Sequence, residues 1–185
     1  GDAVGGGPDP GAITVTDATG GVTANATVNA ASMSIANGGA VDLNGAITMT
    51  SGGFSSTGTT FDSTGASVST TNQPITVDHT GNVIIGGALA SGTGAVDIDA
   101  TGASTIALNA AINVSTGAVT IDSGGTTTVA AAGDIIATGA APVTFGGTLA
   151  GPVTTSADIT TADGPITLEN AVTMAAPISV SSAAA

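Results

Sequence analysis

Lysine, arginine, cysteine, tryptophan and tyrosine are all absent from these 185 residues. At ordinary usage about a tenth of positions would be basic, so their absence reflects selection rather than sampling. Without Lys or Arg the chain cannot neutralise phosphates, which excludes nucleic acid as a partner and disfavours anionic lipid surfaces. Without Cys there are neither disulfides nor thiolate metal sites. Without Trp and Tyr there are no interfacial girdles of the kind a membrane barrel uses. One long uncharged run, residues 135–157, contains Pro142, Pro152 and four glycines, a poor composition for a spanning helix. Membrane insertion is not expected.

What remains is small, β-branched and acidic. There are 29 Gly residues, and 13 acidic residues with no base to offset them give a formal net charge of −13. Such a chain is soluble, repels itself at low salt and attracts cations. It offers no site to trypsin-type proteases, which suits a secreted, cell-surface location. Gly1 is not preceded by a basic, apolar leader, so a mature chain or a fragment is expected.

Periodicity argues against disorder. Five segments align at near-constant intervals: PITVD (74–78), AVDID (95–99), AVTID (118–122), PVTFG (142–146) and PITLE (165–169). In each the second and fourth positions are apolar, from Ile75 and Val77 to Ile166 and Leu168. This period-2 alternation marks a strand with one buried face. Related pieces lie upstream in GAITVT (11–16), SMSIA (32–36), GAITMT (45–50) and TTFDST (59–64), at a looser and less even spacing, and downstream in PISVSS (177–182). A second set, NVIIGG (82–87), STIALN (104–109), TTTVAA (126–131) and GPVTTS (151–156), falls between the five starts. Each repeat therefore supplies at least two strands joined by Gly, Ser, Asn and Thr turns.

A repeat of strands and tight turns alone predicts an all-β parallel β-helix, or β-solenoid, with coils of about 20–24 residues. About eight coils at 4.8 Å each give a rod about 40 Å long. The expected organisation is a flexible segment at 1–10, one solenoid domain at 11–182 (looser coils over 11–72, regular coils over 73–182) and a tail at 183–185. An antiparallel sandwich or barrel is the competing fold, but it does not require near-constant spacing of one pattern.

Laid out in this way, ADGPITLENAVTMAAPISVSS (162–182) and GAVTIDSGGTTTVAAAGDIIATG (117–139) resemble the coils of filamentous-haemagglutinin-like adhesins with haemagglutination-activity repeats. The resemblance is of repeat style and covers most of residues 11–182. It implies a right-handed parallel β-helix in an exported bacterial surface fibre or adhesin shaft. Those proteins usually carry some Lys and Arg, and their secretion-signalling N-terminal domain is not evident here.

Four acids form the candidate site. The fifth position of the aligned segments is Asp78, Asp99, Asp122, Gly146 and Glu169, and Asp97 shares the outward face of Asp99. Like charges one rung apart cost about 1 kcal/mol per neighbour in water. Calcium or another hard cation bound by Asp78, Asp97, Asp99 and Asp122 would relieve that repulsion. The competing expectation is that these side chains splay into water at a strand end and are screened by salt. No dedicated calcium loop is present, no cofactor is required, and calcium is the one that the acids could take.

Other chemistry is weaker. Asp97, Asp99 and Asp122 could serve a carboxylate-based glycoside hydrolase, but the aromatic platforms and basic residues of a sugar site are missing. No catalytic residue is assigned, and an enzyme is not expected. His79, the only histidine, reads as a solvated turn residue. Thr14, Thr16, Thr48, Thr50, Thr76, Thr120, Thr144 and Thr167 suggest hydroxyl ranks such as an ice- or surface-binding solenoid uses, against ordinary β-propensity on a wet face. The expected role is an extracellular structural protein that assembles head to tail with itself, with host-surface or matrix carbohydrate as the other candidate partner.

Overall fold

A computed structural model describes residues 11–36, 38–149 and 151–182. Among them there is no helix, and hence none long and apolar enough to cross a membrane. The chain winds as a β-solenoid of eight coils, and each coil gives one strand to each of three eight-stranded sheets. Every pairing is parallel, and each strand pairs with its counterparts in the coils before and after it. The antiparallel alternative is thereby excluded.

Sheet one contains the strands that the five-segment alignment identifies. Its first inward column is Ile13, Met33, Phe54, Ile75, Val96, Val119, Val143 and Ile166, one from each coil at nearly even steps along the chain. The second is Val15, Ile35, Ser56, Val77, Ile98, Ile121, Phe145 and Leu168. Except at the two terminal coils these side chains are buried, and they form one continuous core with their counterparts from the other sheets. Stacking like over like lets β-branched side chains fill a narrow interior without voids.

The upstream coils do not loosen. GAITVT and SMSIA belong to sheet one, but GAITMT supplies Ile47–Met49 to sheet three and TTFDST supplies Phe61–Asp62 to sheet two. The uneven upstream spacing comes from counting strands of three sheets as one series. The member of sheet one in that region is Phe54–Gly58. PISVSS likewise ends in a strand of sheet three, Val180–Ser182. Segments 1–10 and 183–185, expected as a flexible end and a tail, lie outside the described residues.

Corners are built from hydroxyls and glycines. Where sheet three turns into sheet one, Thr70, Ser91 and Thr161 each donate a side-chain hydrogen bond to a carbonyl three residues on, at Gln73, Gly94 and Gly164. Side-chain oxygens in one coil also accept a backbone N–H from the next: Asn72 from Thr93, Asn82 from Thr105, Asp134 from Asp158 and Asp158 from Ser179. The backbones also approach closely. A Cβ on Gly117 would lie 1.9 Å from the carbonyl oxygen of Gly94 in the coil before it.

That approach separates two substitutions. Gly117→Ala should destabilise the rod by about 2 kcal/mol or more, because the backbone itself must shift to admit the methyl group. Gly20→Ala meets nothing within 4 Å and should stay within about 0.5 kcal/mol of the parent. Chemical denaturation of the two variants tests this, and equal midpoints would contradict the corner geometry.

Candidate functional site

The parallel register brings the predicted acids together. Asp78 pairs with Asp99, and Asp99 with Asp122, on three successive strands of sheet one: Ile75–His79, Val96–Ala100 and Val119–Ser123. Asp97 stands two residues before Asp99, between Thr76 and Thr120 of the adjacent coils. All four lie on three neighbouring strands. They form a line with one branch, and among the described residues no group of three or more His, Asp or Glu is arranged to hold one metal ion.

Their environments differ along the line. Asp78 is exposed, Asp97 and Asp99 are half-buried, and Asp122 is 5 % exposed. Burial of Asp122 departs from the expectation of a solvated strand end, and the cause lies one coil away. The longer connection after Val143–Phe145 folds back over it. The backbone N–H groups of Thr148 and Leu149 donate to Asp122 Oδ2 at 2.9 and 3.2 Å, and the Thr148 hydroxyl adds a contact at 3.4 Å. A Cβ on Gly147 would fall 2.6 Å from Oδ2, so a larger residue there would displace the carboxylate. Asp122 Oδ1 is buried without a hydrogen-bond partner. Asp122 therefore anchors a loop, a role that no local motif in the sequence signals.

Burial and mutual repulsion move the neighbouring acids in one direction. Desolvation first, then the charges of Asp97, Asp78 and Asp122, push Asp99 up to about 6. Asp97 is raised for the same reasons, with desolvation ahead of Asp78 and Asp122. With no Lys or Arg in the chain, no side-chain cation offsets these charges. Protonation or an external cation can relieve the column; an internal ion pair with a basic side chain cannot.

His79 is in the core, not in a solvated turn. It is the last residue of Ile75–His79, is fully buried, and points inward from the same strand whose outer face carries Asp78. Its Nε2 lies 3.0 Å from Ser56 Oγ, and its ring packs against Phe61 at 5.5 Å. The register places Gly58 and Ala100 on either side of it, and that pair of small residues leaves room for an imidazole in a solid column. The period-2 pattern could have found it, because Ile75, Val77 and His79 share one parity.

The threonines do not form one rank. Thr14, Thr76, Thr120, Thr144 and Thr167 stand in a single outward column of sheet one, interrupted by Ser34, Ser55 and Asp97. Thr48 belongs to sheet three. An open cleft of about 320 Å³ lies beside Asp78, lined by Gly38, Thr57, Gly58, Thr59 and Thr80. The chain matches no family model, no curated protein and no solved structure.

Removing one charge from the column has a defined sign. Asp99 titrates higher in the folded rod than its ordinary 3.8, so its ionised form costs stability above about pH 6, and the cost disappears as pH falls to about 4. Asp99→Asn should therefore stabilise the protein at pH 7.5 by about 1–2 kcal/mol, a value reduced for partial exposure and salt screening. The gain should vanish by pH 4. Thermal melts of both proteins across that range check it, and a loss of stability at pH 7.5 would mean that Asp99 holds something in place.

Proposed function

We propose that this chain is an extracellular structural protein, a β-solenoid building block of a surface filament, sheath or adhesin shaft that continues its stack end to end. The observation that carries this reading is the character of the two outermost coils. Ala12–Thr16, Val22–Ala24 and Val28–Ala30 form one end of the three sheets, and Ile166–Leu168, Val172–Met174 and Val180–Ser182 form the other. Among the described residues these strands have a partner on one side only. Exposed strand edges usually carry charges that block further pairing. These six strands contain no Asp or Glu, although the chain has 13 such residues.

A second copy of the chain matches these ends. Both present the same three-sheet cross-section, so a copy stacked in register sets Ile166 and Leu168 against Ile13 and Val15, and Thr167 against Thr14. Within the strands the outward pairs at such a junction, Thr167 with Thr14, Thr173 with Thr23 and Ser181 with Asn29, are neutral, and Glu169 just past its strand comes opposite Thr16, an uncharged residue. Stacking would also cover Met174 and Val180, which are 59 % and 38 % exposed. This head-to-tail mode is open-ended and yields a filament. The resemblance to haemagglutination-repeat adhesins supports the same reading, as do the absence of Lys and Arg and the independence from disulfides. The work is mechanical, and the reading assigns no catalytic residue.

Charge exchange at the junction tests it. Rods viewed by negative-stain microscopy should lengthen with protein concentration beyond the roughly 40 Å of one chain. A Thr14→Asp, Thr167→Asp double variant should remain short, and Thr14→Lys, Thr167→Asp should recover the long form. Single short particles at every concentration for the parent protein would count decisively against the filament.

A further inference from the structure

The Ser56–His79 pair is a polar joint inside an otherwise apolar column, and neither the acid face nor the end-to-end reading uses it. Ser56 is the only polar member of the second inward column of sheet one. It faces His79 from the preceding coil, and both are fully buried. Phe54 and Phe61 meet edge to face at 6.3 Å, and Phe61 covers the imidazole. Nδ1 has no hydrogen-bond partner.

We propose that this pair is an acid-sensitive joint between the third and fourth coils, closed while His79 is neutral and loosened when His79 takes up a proton. A neutral imidazole suits the site: Nε2–H donates to Ser56 Oγ, and only a lone pair at Nδ1 is left unsatisfied. That tautomer is assigned from the hydrogen-bond pattern. Protonation adds an N–H at Nδ1 with no acceptor, and places a positive charge beside Phe61 in a dry core.

The surrounding charges do not accommodate the cation from within. On the strands packed against it, Ser56, Gly58, Phe61 and Ala100 face inward and do not titrate. Asp78, Asp97, Asp99 and Asp62 belong to the outward faces of those strands. Of these, Asp78 favours the protonated form, but burial dominates and lowers His79 from its ordinary 6.5 to about 4. Solvent is nonetheless near. Gly58 lines the open cleft beside Asp78, and a Cβ on it would lie 3.3 Å from His79 Nδ1. Gly58 thus borders both the cleft and the unpartnered nitrogen.

Acid sensitivity from this source has a distinct signature in a chain without Lys or Arg. No ion pair with a basic side chain exists for acid to break, and protonating Asp97 or Asp99 relieves repulsion and stabilises the rod. His79 works in the opposite sense. Its folded-state pKa lies below its unfolded value, so its neutral form is tolerated without cost above about pH 6.5, and stability is lost as pH falls from there through 4. His79 alone should lower the folding equilibrium constant by about 80-fold by pH 4.5, and by about 300-fold at the acid limit. The loosening should begin at the strands on either side of the pair, Phe54–Gly58 and Ile75–His79.

Because His79 is the only histidine, its imidazole signals in NMR are unambiguous. In the folded protein they should not titrate until the pH approaches 4; a midpoint near 6.5 overturns the proposal. Melts between pH 7.5 and 4.5 should show that Ser56→Ala, His79→Leu lacks the acid loss attributable to His79. The carboxylates are common to both proteins, so their contribution cancels in the difference. An identical acid profile in parent and variant would sink the idea. Should the variant not fold, amide hydrogen exchange on the parent protein decides. Protection lost in acid first at residues 54–58 and 75–79 supports the joint, and uniform loss along the rod refutes it.

Discussion

Parallel stacking at one strand spacing is the constraint on which everything else in this molecule depends. Each residue sits over its equivalent in the coil before, about 4.8 Å away, so a choice made in one coil is imposed on its neighbours. Apolar positions become the solid columns that run from Ile13 to Ile166 and from Val15 to Leu168. Corner positions become places where one backbone touches the next, as Gly117 does Gly94. Charged positions become lines of like charge, and the chain lacks the basic side chains with which most proteins would interrupt them.

That constraint also explains how much of the fold was legible. From Ile75 onward, sheet one could be read because its inward positions are apolar in every coil and its steps are nearly constant. Upstream the same reading failed at Phe54–Gly58. There Ser56 and Gly58 stand where apolar side chains were sought, and both face the imidazole of His79. The partners of one buried histidine thus broke the pattern in the coil before its own. Most of sheet three was missed for a different reason. Its strands are mostly three residues long, like those of sheet two, and it is their small and polar members, as in Val28–Ala30, Val68–Thr70 and Leu89–Gly92, that blur the alternation.

The candidate site was legible in the same uneven way. Register alone put Asp78, Asp99 and Asp122 side by side, and register is a property of the repeat. Burial of Asp122 is not. It follows from the connection at 146–149, whose N–H groups reach back to a carboxylate 26 and 27 residues earlier. Hydrogen bonds of that span leave no local trace, so a column that reads as uniform in sequence grades from exposed Asp78 to enclosed Asp122.

The distribution of charge along the rod divides it into regions with different physics. Acids gather on sheet one of coils four to six, where stacking has already been decided by two neighbours and the repulsion cannot prevent pairing. The strands of the first and last coils, which among the described residues have a partner on one side only, carry none. If self-repulsion served only to keep single rods apart, the charge would be most effective on those edges, since an edge is where unwanted strands add. Asp17 and Glu169 directly follow terminal strands of sheet one, but no acid lies within a terminal strand. On the end-to-end reading, the acid face of the middle coils would oppose side-by-side association, while the terminal strands themselves add no charge to the junction.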